Sequence, residues 1–329
     1  MELVILIVVL GLLFDYTNGF HDAANVVSTV IATGVLAPVS AIVMAAVLNF
    51  LGATQISGVA QTITTGLIDA QAATQIVVLA AVLGAIVWNF LTWYYGIPSS
   101  SSYALVGGLV GAALTHSQLH AVLWGGVFYK VLIPMVLSPL LGFCLSFLFM
   151  KLLKSFYKKN RHEHSIFRHL QIGSACFVAL AHGLNDAQKS MGLITLGLFA
   201  GGVITTPHIP LWVIFACALT MAISTASGGL RIIKTMGFQI TKIDPMQGFA
   251  AETSASAVIL IASFLGMPIS STHMIAGSIT GVGSAKGLHA VRWGTPKKLV
   301  IAWVLTLPGA ALVSSASYFL LNSMKLLWD

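Results

Sequence analysis

Two short stretches place ionisable side chains beside apolar sequence. In the first, Asp22 precedes Asn25 by three residues, and in the second, Asp186 precedes Lys189 by the same spacing. That spacing puts both members of a pair on one face of a helix. A carboxylate and an amide oxygen suit a hard cation such as Na⁺, and a carboxylate alone can hold a proton. An acid in an apolar segment indicates a functional site, with a helix cap or an interhelical hydrogen bond as the alternative.

Two other stretches combine proline with hydroxyl residues. Gly96-Ile97-Pro98-Ser99 continues into Ser100, Ser101 and Ser102, and Gly266-Met267-Pro268-Ile269 continues into Ser270, Ser271 and Thr272. Proline disfavours a continuous helix, and serine or threonine caps the free N–H groups of a new one. We therefore predict that half-helices begin at 99–102 and at 270–272. Their N–H groups and positive dipole ends form a site for a tetrahedral oxyanion. The alternative is a proline kink whose hydroxyl groups satisfy the freed backbone.

These motifs recur in the same order in the two halves of the chain. The proline–serine stretches lie 170 residues apart, and His120–Gly125 recurs as His289–Gly294 with one difference. The two acidic stretches are 164 residues apart. We predict a first transmembrane repeat at 1–150 and a second at 169–329, joined by a basic linker at 151–168.

The composition is that of a membrane protein. Of 329 residues, 57% are apolar and 8% are charged, with a mean hydropathy of +0.93; soluble domains have about 45–50% apolar and about 25% charged residues. This excludes a soluble enzyme, a disordered tail and a nucleic-acid binder. The length allows roughly nine to twelve membrane segments. The predicted fold class is an all-α polytopic membrane protein that forms one integrated domain.

The distribution of basic residues predicts the topology. The linker holds six of the sixteen bases, which assigns it to the cytoplasm rather than to a nucleic-acid interface. First-half junctions 66–72 and 115–120 contain no lysine or arginine, whereas the matching second-half junctions contain Arg231, Lys234, Lys242, Lys286, Arg292, Lys297 and Lys298. Corresponding loops then face opposite sides, which predicts inverted-topology repeats and both termini outside the cell; the broken helices follow from the proline–serine stretches. Segments 72–114 and 255–282 are each either a re-entrant hairpin or two full spans.

The repeat alignment also bears on the remaining polar residues. Glu252 has no acidic counterpart in the first half, so a structural role competes with a charge-coupling role. Lys189 aligns with Asn25, and its ammonium either replaces a cation that Asp22 and Asn25 bind or neutralises Asp186. No H-E-x-x-H or G-x-S-x-G motif lies on a segment, and we predict no enzyme activity.

The chain resembles the inorganic phosphate transporter family, which carries a duplicated Gly-x-Asn-Asp-x-x-Asn signature. The copies here are Gly19–Asn25 and Gly183–Lys189, with His21 and Lys189 as departures. The stretches 96–102 and 266–272 are also similar to that family. The resemblance implies that the two serine clusters bind the anion and that Asp22, Asn25, Asn185 and Asp186 act in coupling. It also implies a homodimer with alternating access and no cofactor apart from a coupling ion, H⁺ or Na⁺, with Na⁺ held at Asp22, Asn25 and Asp186.

We therefore predict a secondary transporter of the plasma membrane that imports inorganic phosphate with H⁺ or Na⁺. The alternatives are a sulfate permease of the same fold and an anion channel. Hydrogen phosphate can donate a hydrogen bond to a carboxylate, whereas sulfate only accepts hydrogen bonds. Nearby acids therefore favour phosphate. A channel calls for rings of like residues around a symmetric pore.

Overall fold

The chain folds almost entirely into helices. The computed structural model describes residues 1–55, 57–69, 72–157, 161–228 and 230–325. The helices of the first part are α1 (Glu2–Ala32), α2 (Pro38–Ala53), α3 (Gly58–Thr65), α4 (Gln75–Tyr94), α5 (Ser101–Ser117), α6 (Trp124–Val127) and α7 (Ile133–Phe156). Those of the second part are α8 (Arg161–Ala200), α9 (Leu211–Ser227), α10 (Leu230–Lys234), α11 (Pro245–Phe264), α12 (Ser271–Ser284) and α13 (Gly294–Lys325). Single π-helical turns, Phe128–Leu132 and Thr235–Gln239, follow α6 and α10, and short 3₁₀ turns lie at Gln118–Ala121 and Leu288–Ala290.

Several of these helices are long and apolar enough to cross a membrane. Among the described residues there are four such spans, Glu2–Ala32, Gln75–Tyr94, Trp124–Phe156 and Gly294–Met324, and two bent helix pairs raise the number to six. Helices α8 and α11 are not among these spans, because buried polar side chains lower their apolar content. The roughly nine to twelve segments that the length allows stay a prediction. The chain is an all-α, multi-pass membrane protein, as its composition predicts.

Helices α4 and α5 pack together as a first helical hairpin, and α11 and α12 as a second. The first helix of each hairpin ends at a glycine with a left-handed backbone, Gly96 or Gly266, both at φ 65°. Helices α5 and α12 have 17 and 14 residues, which makes them about 26 and 21 Å long, against about 30 Å for the hydrocarbon core. Helices α5 and α12 are therefore shorter than a full span, whereas α4 is long enough to cross the hydrocarbon core.

The second helix of each hairpin packs on the last helix of the other half. Helix α5 packs on α13, and α12 packs on α7. Glycine allows both close approaches: a Cβ atom on Gly107 would lie 2.4 Å from the carbonyl oxygen of Leu307, and one on Gly277 would lie 2.4 Å from that of Pro139. The two contacts correspond in the two halves, since the glycines lie 170 residues apart and their carbonyl partners 168.

The basic stretch 151–168 is largely helical in its described part, since α7 continues to Phe156 and α8 begins at Arg161. The predicted linker lysines at 158 and 159 lie outside the described residues. Lys154 donates to the carbonyl oxygen of Ala285 at 2.9 Å, beside Lys286. This contact places the basic stretch next to one of the basic second-half junctions.

Candidate functional site

The N-termini of the two short helices meet inside the protein. Ser100 and Ser270 are the N-cap residues, and the Oγ of each accepts a hydrogen bond from the N–H three residues further on, at 3.3 and 3.2 Å. Ser102 Oγ donates to the carbonyl oxygen of Ile269 at 3.1 Å, which joins the two hairpins directly. Helices therefore begin where the serine motifs predict them. Their unpaired first N–H groups and positive dipole ends converge.

Asp22 links helix α1 to both hairpins. Ser101 Oγ donates to its Oδ2 atom at 3.0 Å, and Thr272 Oγ1 donates to its Oδ1 atom at 3.1 Å. His21 Nδ1 lies 3.0 Å from the same Oδ1 atom. The Asp22 side chain is buried, so the protein replaces its hydration with these hydroxyl donors.

Asp186 occupies the corresponding place on helix α8. Lys189 Nζ lies 2.5 Å from its Oδ1 atom, Ser271 Oγ donates to its Oδ2 atom at 3.0 Å, and His182 Nε2 lies 3.1 Å from Oδ2. All four side chains are buried. Ligand atoms of Asp22, His182 and Asp186 lie within 4.8 Å of one another, so acids from the two halves share one cluster.

Asn25 completes this cluster from helix α1. Its Nδ2 atom donates to Ser271 Oγ at 3.2 Å and to Thr272 Oγ1 at 2.9 Å. Within the part of the chain that the structure describes, its buried Oδ1 atom has no hydrogen-bond partner. A buried oxygen without a donor, next to carboxylates, is a suitable ligand for a hard cation such as Na⁺.

The structure places two of the predicted coupling residues outside the cluster. Glu252 accepts three hydrogen bonds, from Thr29, Gln171 and Ser174, at 2.6, 3.0 and 2.5 Å. Thr29 lies seven residues beyond Asp22, about 10 Å along α1. Asn185 turns instead toward the second hairpin and donates to Ser263 Oγ at 2.7 Å. Both residues brace the helices around the cluster.

The sequence analysis did not identify three buried polar residues near the cluster. Asn18 accepts a hydrogen bond from Ser101, and His182 contacts Asp186. Both precede an aspartate by four residues, and they lie 164 residues apart, so helical spacing within the repeat was the available signal. Asp15 is fully buried and accepts a hydrogen bond from Ser190 Oγ at 2.7 Å. It therefore adds another carboxyl group on α1.

His273 has a packing role in this arrangement. Its ring stacks on Trp303 with centroids 4.0 Å apart and lies 5.1 Å from the ring of Tyr103. Neither ring nitrogen has a hydrogen-bond partner among the described residues.

The chain is similar to known phosphate transporters in sequence and in fold. Residues 18–314 match the model of the phosphate transporter family. The chain is 44% identical over 325 residues to a probable low-affinity inorganic phosphate transporter of Bacillus subtilis, covering 97% of each protein. It is 48% identical over 326 residues to one from Mycobacterium tuberculosis, covering 97% of this chain and 78% of that protein. Its fold is similar to a solved sodium-dependent phosphate transporter, with a TM-score of 0.89, 26% identity and coverage of 98% and 99% of the two chains. These relatives are transporters, not enzymes.

Proposed function

Since the chain belongs to the phosphate transporter family, we propose that it is a secondary transporter that imports inorganic phosphate with a coupling cation. One observation carries the proposal: two serine-capped helix N-termini converge on a cluster that contains Asp22 and Asp186. The helix ends and hydroxyl groups supply donors for an anion, and the acids supply sites for positive charge.

The acids also favour phosphate over sulfate. Hydrogen phosphate has an O–H group that donates to a carboxylate, whereas sulfate only accepts hydrogen bonds. The hydroxyl groups of Ser101, Ser271 and Thr272 now donate to the aspartates, and they can turn toward a bound anion. Phosphate thus exchanges one set of hydrogen bonds for another, while sulfate offers no donor to replace the hydroxyl groups that turn away from the carboxylates.

Coupling follows from the charges of the cluster. An anion at 4 Å from a carboxylate is repelled by about 4 kcal/mol per unit charge at an effective dielectric constant near 20, which lowers affinity about a thousandfold. Lys189 offsets the charge of Asp186. Asp22 has no lysine or arginine partner among the described residues, so a Na⁺ ion held with Asn25 Oδ1, or a proton, neutralises it and admits the anion.

Unequal contacts at the two hairpin turns support alternating access. The second turn is closed: Thr62 Oγ1 donates to the carbonyl oxygen of Gly266, and Lys130 Nζ to that of Leu265, each at 2.6 Å. At the first turn, Thr235 Oγ1 lies 3.4 Å from the carbonyl oxygen of Gly96, and a cavity adjoins the turn. This difference between the two turns supports a carrier that opens on one side at a time, although Trp303 Nε1 also donates to the carbonyl oxygen of Pro98 at the first turn, at 3.3 Å.

The test is uptake of labelled phosphate into proteoliposomes across a series of pH values and Na⁺ concentrations. We expect saturable uptake that collapses when the gradient of the coupling cation is removed, and competition by phosphate but not by sulfate. The series identifies whether Na⁺ or H⁺ drives uptake. Uptake that does not saturate favours a channel, and equal competition by sulfate contradicts the preference for phosphate.

The remaining predictions concern assembly and topology. We propose inverted repeats, with both termini outside the cell and the basic stretch 151–168 in the cytoplasm. The reciprocal packing of α5 on α13 and of α12 on α7 supports the repeats. The homodimer implied by the family resemblance is tested by the mass of the protein in detergent, and the topology by labelling of single cysteines in intact cells.

A further inference from the structure

A cavity of about 670 Å³, lined by both polar and apolar side chains, lies against the turn of the first hairpin. Residues 94–98 form one wall, and the rest is lined by Lys234, Thr235, Gln239, Thr295, Lys298 and Leu299. The wall leads directly into the serine cluster that begins at Ser99. The cavity therefore adjoins the turn that immediately precedes the first serine cluster in the chain.

Two lysines give this cavity its charge. Lys234 and Lys298 are both exposed, and neither ammonium group has a carboxylate partner among the residues that the structure describes. Other lysines near the hairpins are engaged: Lys130 binds the turn of the second hairpin, and Lys286 pairs with Asp244 at 3.1 Å. Two unpaired positive charges thus face one cavity beside the transport site.

We propose that this cavity, bounded by the turn 94–98, Lys234 and Lys298, is a docking site for free inorganic phosphate as it passes between the central site and the aqueous phase. The inference rests on the proposed transport function. Ammonium groups bind phosphate as strongly hydrated point charges, and the Gln239 side-chain amide adds a hydrogen-bond donor, while Thr295 Oγ1 donates to the carbonyl oxygen of Gln239 at 3.1 Å.

The chemistry of this site, a phosphate group with negative charge, also occurs in anionic lipid headgroups. The exposed rings of Tyr94 and Tyr95 at the cavity edge are typical of a membrane interface. Free phosphate is favoured over a lipid headgroup because the cavity adjoins the turn that leads to the serine cluster, which is the proposed path of the transported anion.

The test compares the Lys234→Gln/Lys298→Gln double variant with Lys297→Gln, a neighbouring exposed lysine that does not line the cavity. Phosphate transport is measured in right-side-out and in inside-out membrane vesicles. Removing two charges at contact distance should raise KM about five- to tenfold at the face on which the cavity opens, and leave KM at the other face unchanged. Because exposed charges are screened by salt, the KM of the unaltered protein at that face should rise with ionic strength and that of the double variant should not.

Several results overturn the proposal. A double variant that behaves like Lys297→Gln, or one that changes KM equally at both faces, excludes a docking role. A defect that appears only in proteoliposomes containing phosphatidylglycerol, and is absent in phosphatidylcholine, shows that the lysines hold a lipid headgroup. If the unaltered protein takes up no phosphate, the transport function itself is wrong; if it does and the double variant is normal, the docking site alone is wrong.

Discussion

Lys189 offers a direct test of how charge is balanced in the transport site. Its ammonium lies 2.5 Å from Asp186 Oδ1, and both side chains are completely buried. At an effective dielectric constant near 20 the attraction at this distance is about 7 kcal/mol, and several kcal/mol of it offset the desolvation of the two charges. Removing one member of a buried pair costs about 3–5 kcal/mol, because the remaining charge is left uncompensated.

The variant Lys189→Asn converts this position to the residue type of its repeat counterpart, Asn25. Asp186 then requires a cation from solution, and the cost of about 3–5 kcal/mol corresponds to a loss of roughly two to four orders of magnitude in phosphate affinity when that cation is scarce. We expect uptake to recover at high concentrations of the coupling cation, with a Hill coefficient higher by about one. The measurement is phosphate uptake in proteoliposomes as a function of Na⁺ and of pH.

Two control variants separate charge from ligand chemistry. Lys189→Arg retains a positive charge and should keep the cation dependence of the unaltered protein. Lys189→Met removes the charge without supplying an oxygen ligand, so added Na⁺ should restore phosphate uptake less in Lys189→Met than in Lys189→Asn. If Lys189→Asn reaches the membrane, transports phosphate and shows an unaltered cation dependence, Lys189 does not stand in for a coupling cation.

Three further perturbations follow from individual contacts. Asp22→Asn removes the charge that accepts hydrogen bonds from hydroxyl groups of both hairpins. Coupled uptake should fall at least about a hundredfold, since each charged hydrogen bond contributes about 1.5–3 kcal/mol. Glu2→Gln is the charge control, and normal uptake by Asp22→Asn at normal protein levels argues against the site. Gly277→Ala places a Cβ atom 2.4 Å from the carbonyl oxygen of Pro139 and should lower Tm, because overpacking costs about 1–3 kcal/mol. Gly173→Ala, where a Cβ atom has open space, should leave Tm unchanged. Equal Tm values for the two variants contradict the close packing. Thr62→Val removes a hydrogen bond that holds the second turn closed. Losing about 1 kcal/mol should speed amide hydrogen exchange at 264–270 about fivefold. The control Thr65→Val removes a hydrogen bond within one helix, and an equal effect of the two variants rules out a closing role for Thr62.

Much of the architecture could be predicted from the sequence, because the signals are local. A proline followed by serines ends one helix and caps the next, so the starts of α5 and α12 follow from residues 98–102 and 268–272 alone. The glycines at 96 and 266 end α4 and α11 for an equally local reason, since both adopt φ 65°. Composition alone predicts a membrane protein, because so few charges cannot keep this chain in water.

Composition was a poorer guide to the number of spans. Helices α8 and α11 carry the polar residues of the interior, such as Asp186 and Glu252, and neighbouring helices shield these groups from lipid. A hydropathy pattern cannot distinguish a polar residue that faces lipid from one that faces another helix. The roughly nine to twelve segments that the length allows therefore stay a prediction.

The sequence by itself determined which residues can carry charge and where helices begin, because caps, turns and helical spacing act over a few residues. Only the tertiary structure decided which of these residues meet. Thr272 donates to Asp22 across 250 positions of the chain, His182 joins the acids, and Glu252 satisfies its hydrogen bonds elsewhere. Such contacts depend on how whole helices pack and cross, and no local pattern encodes the register between segments so far apart.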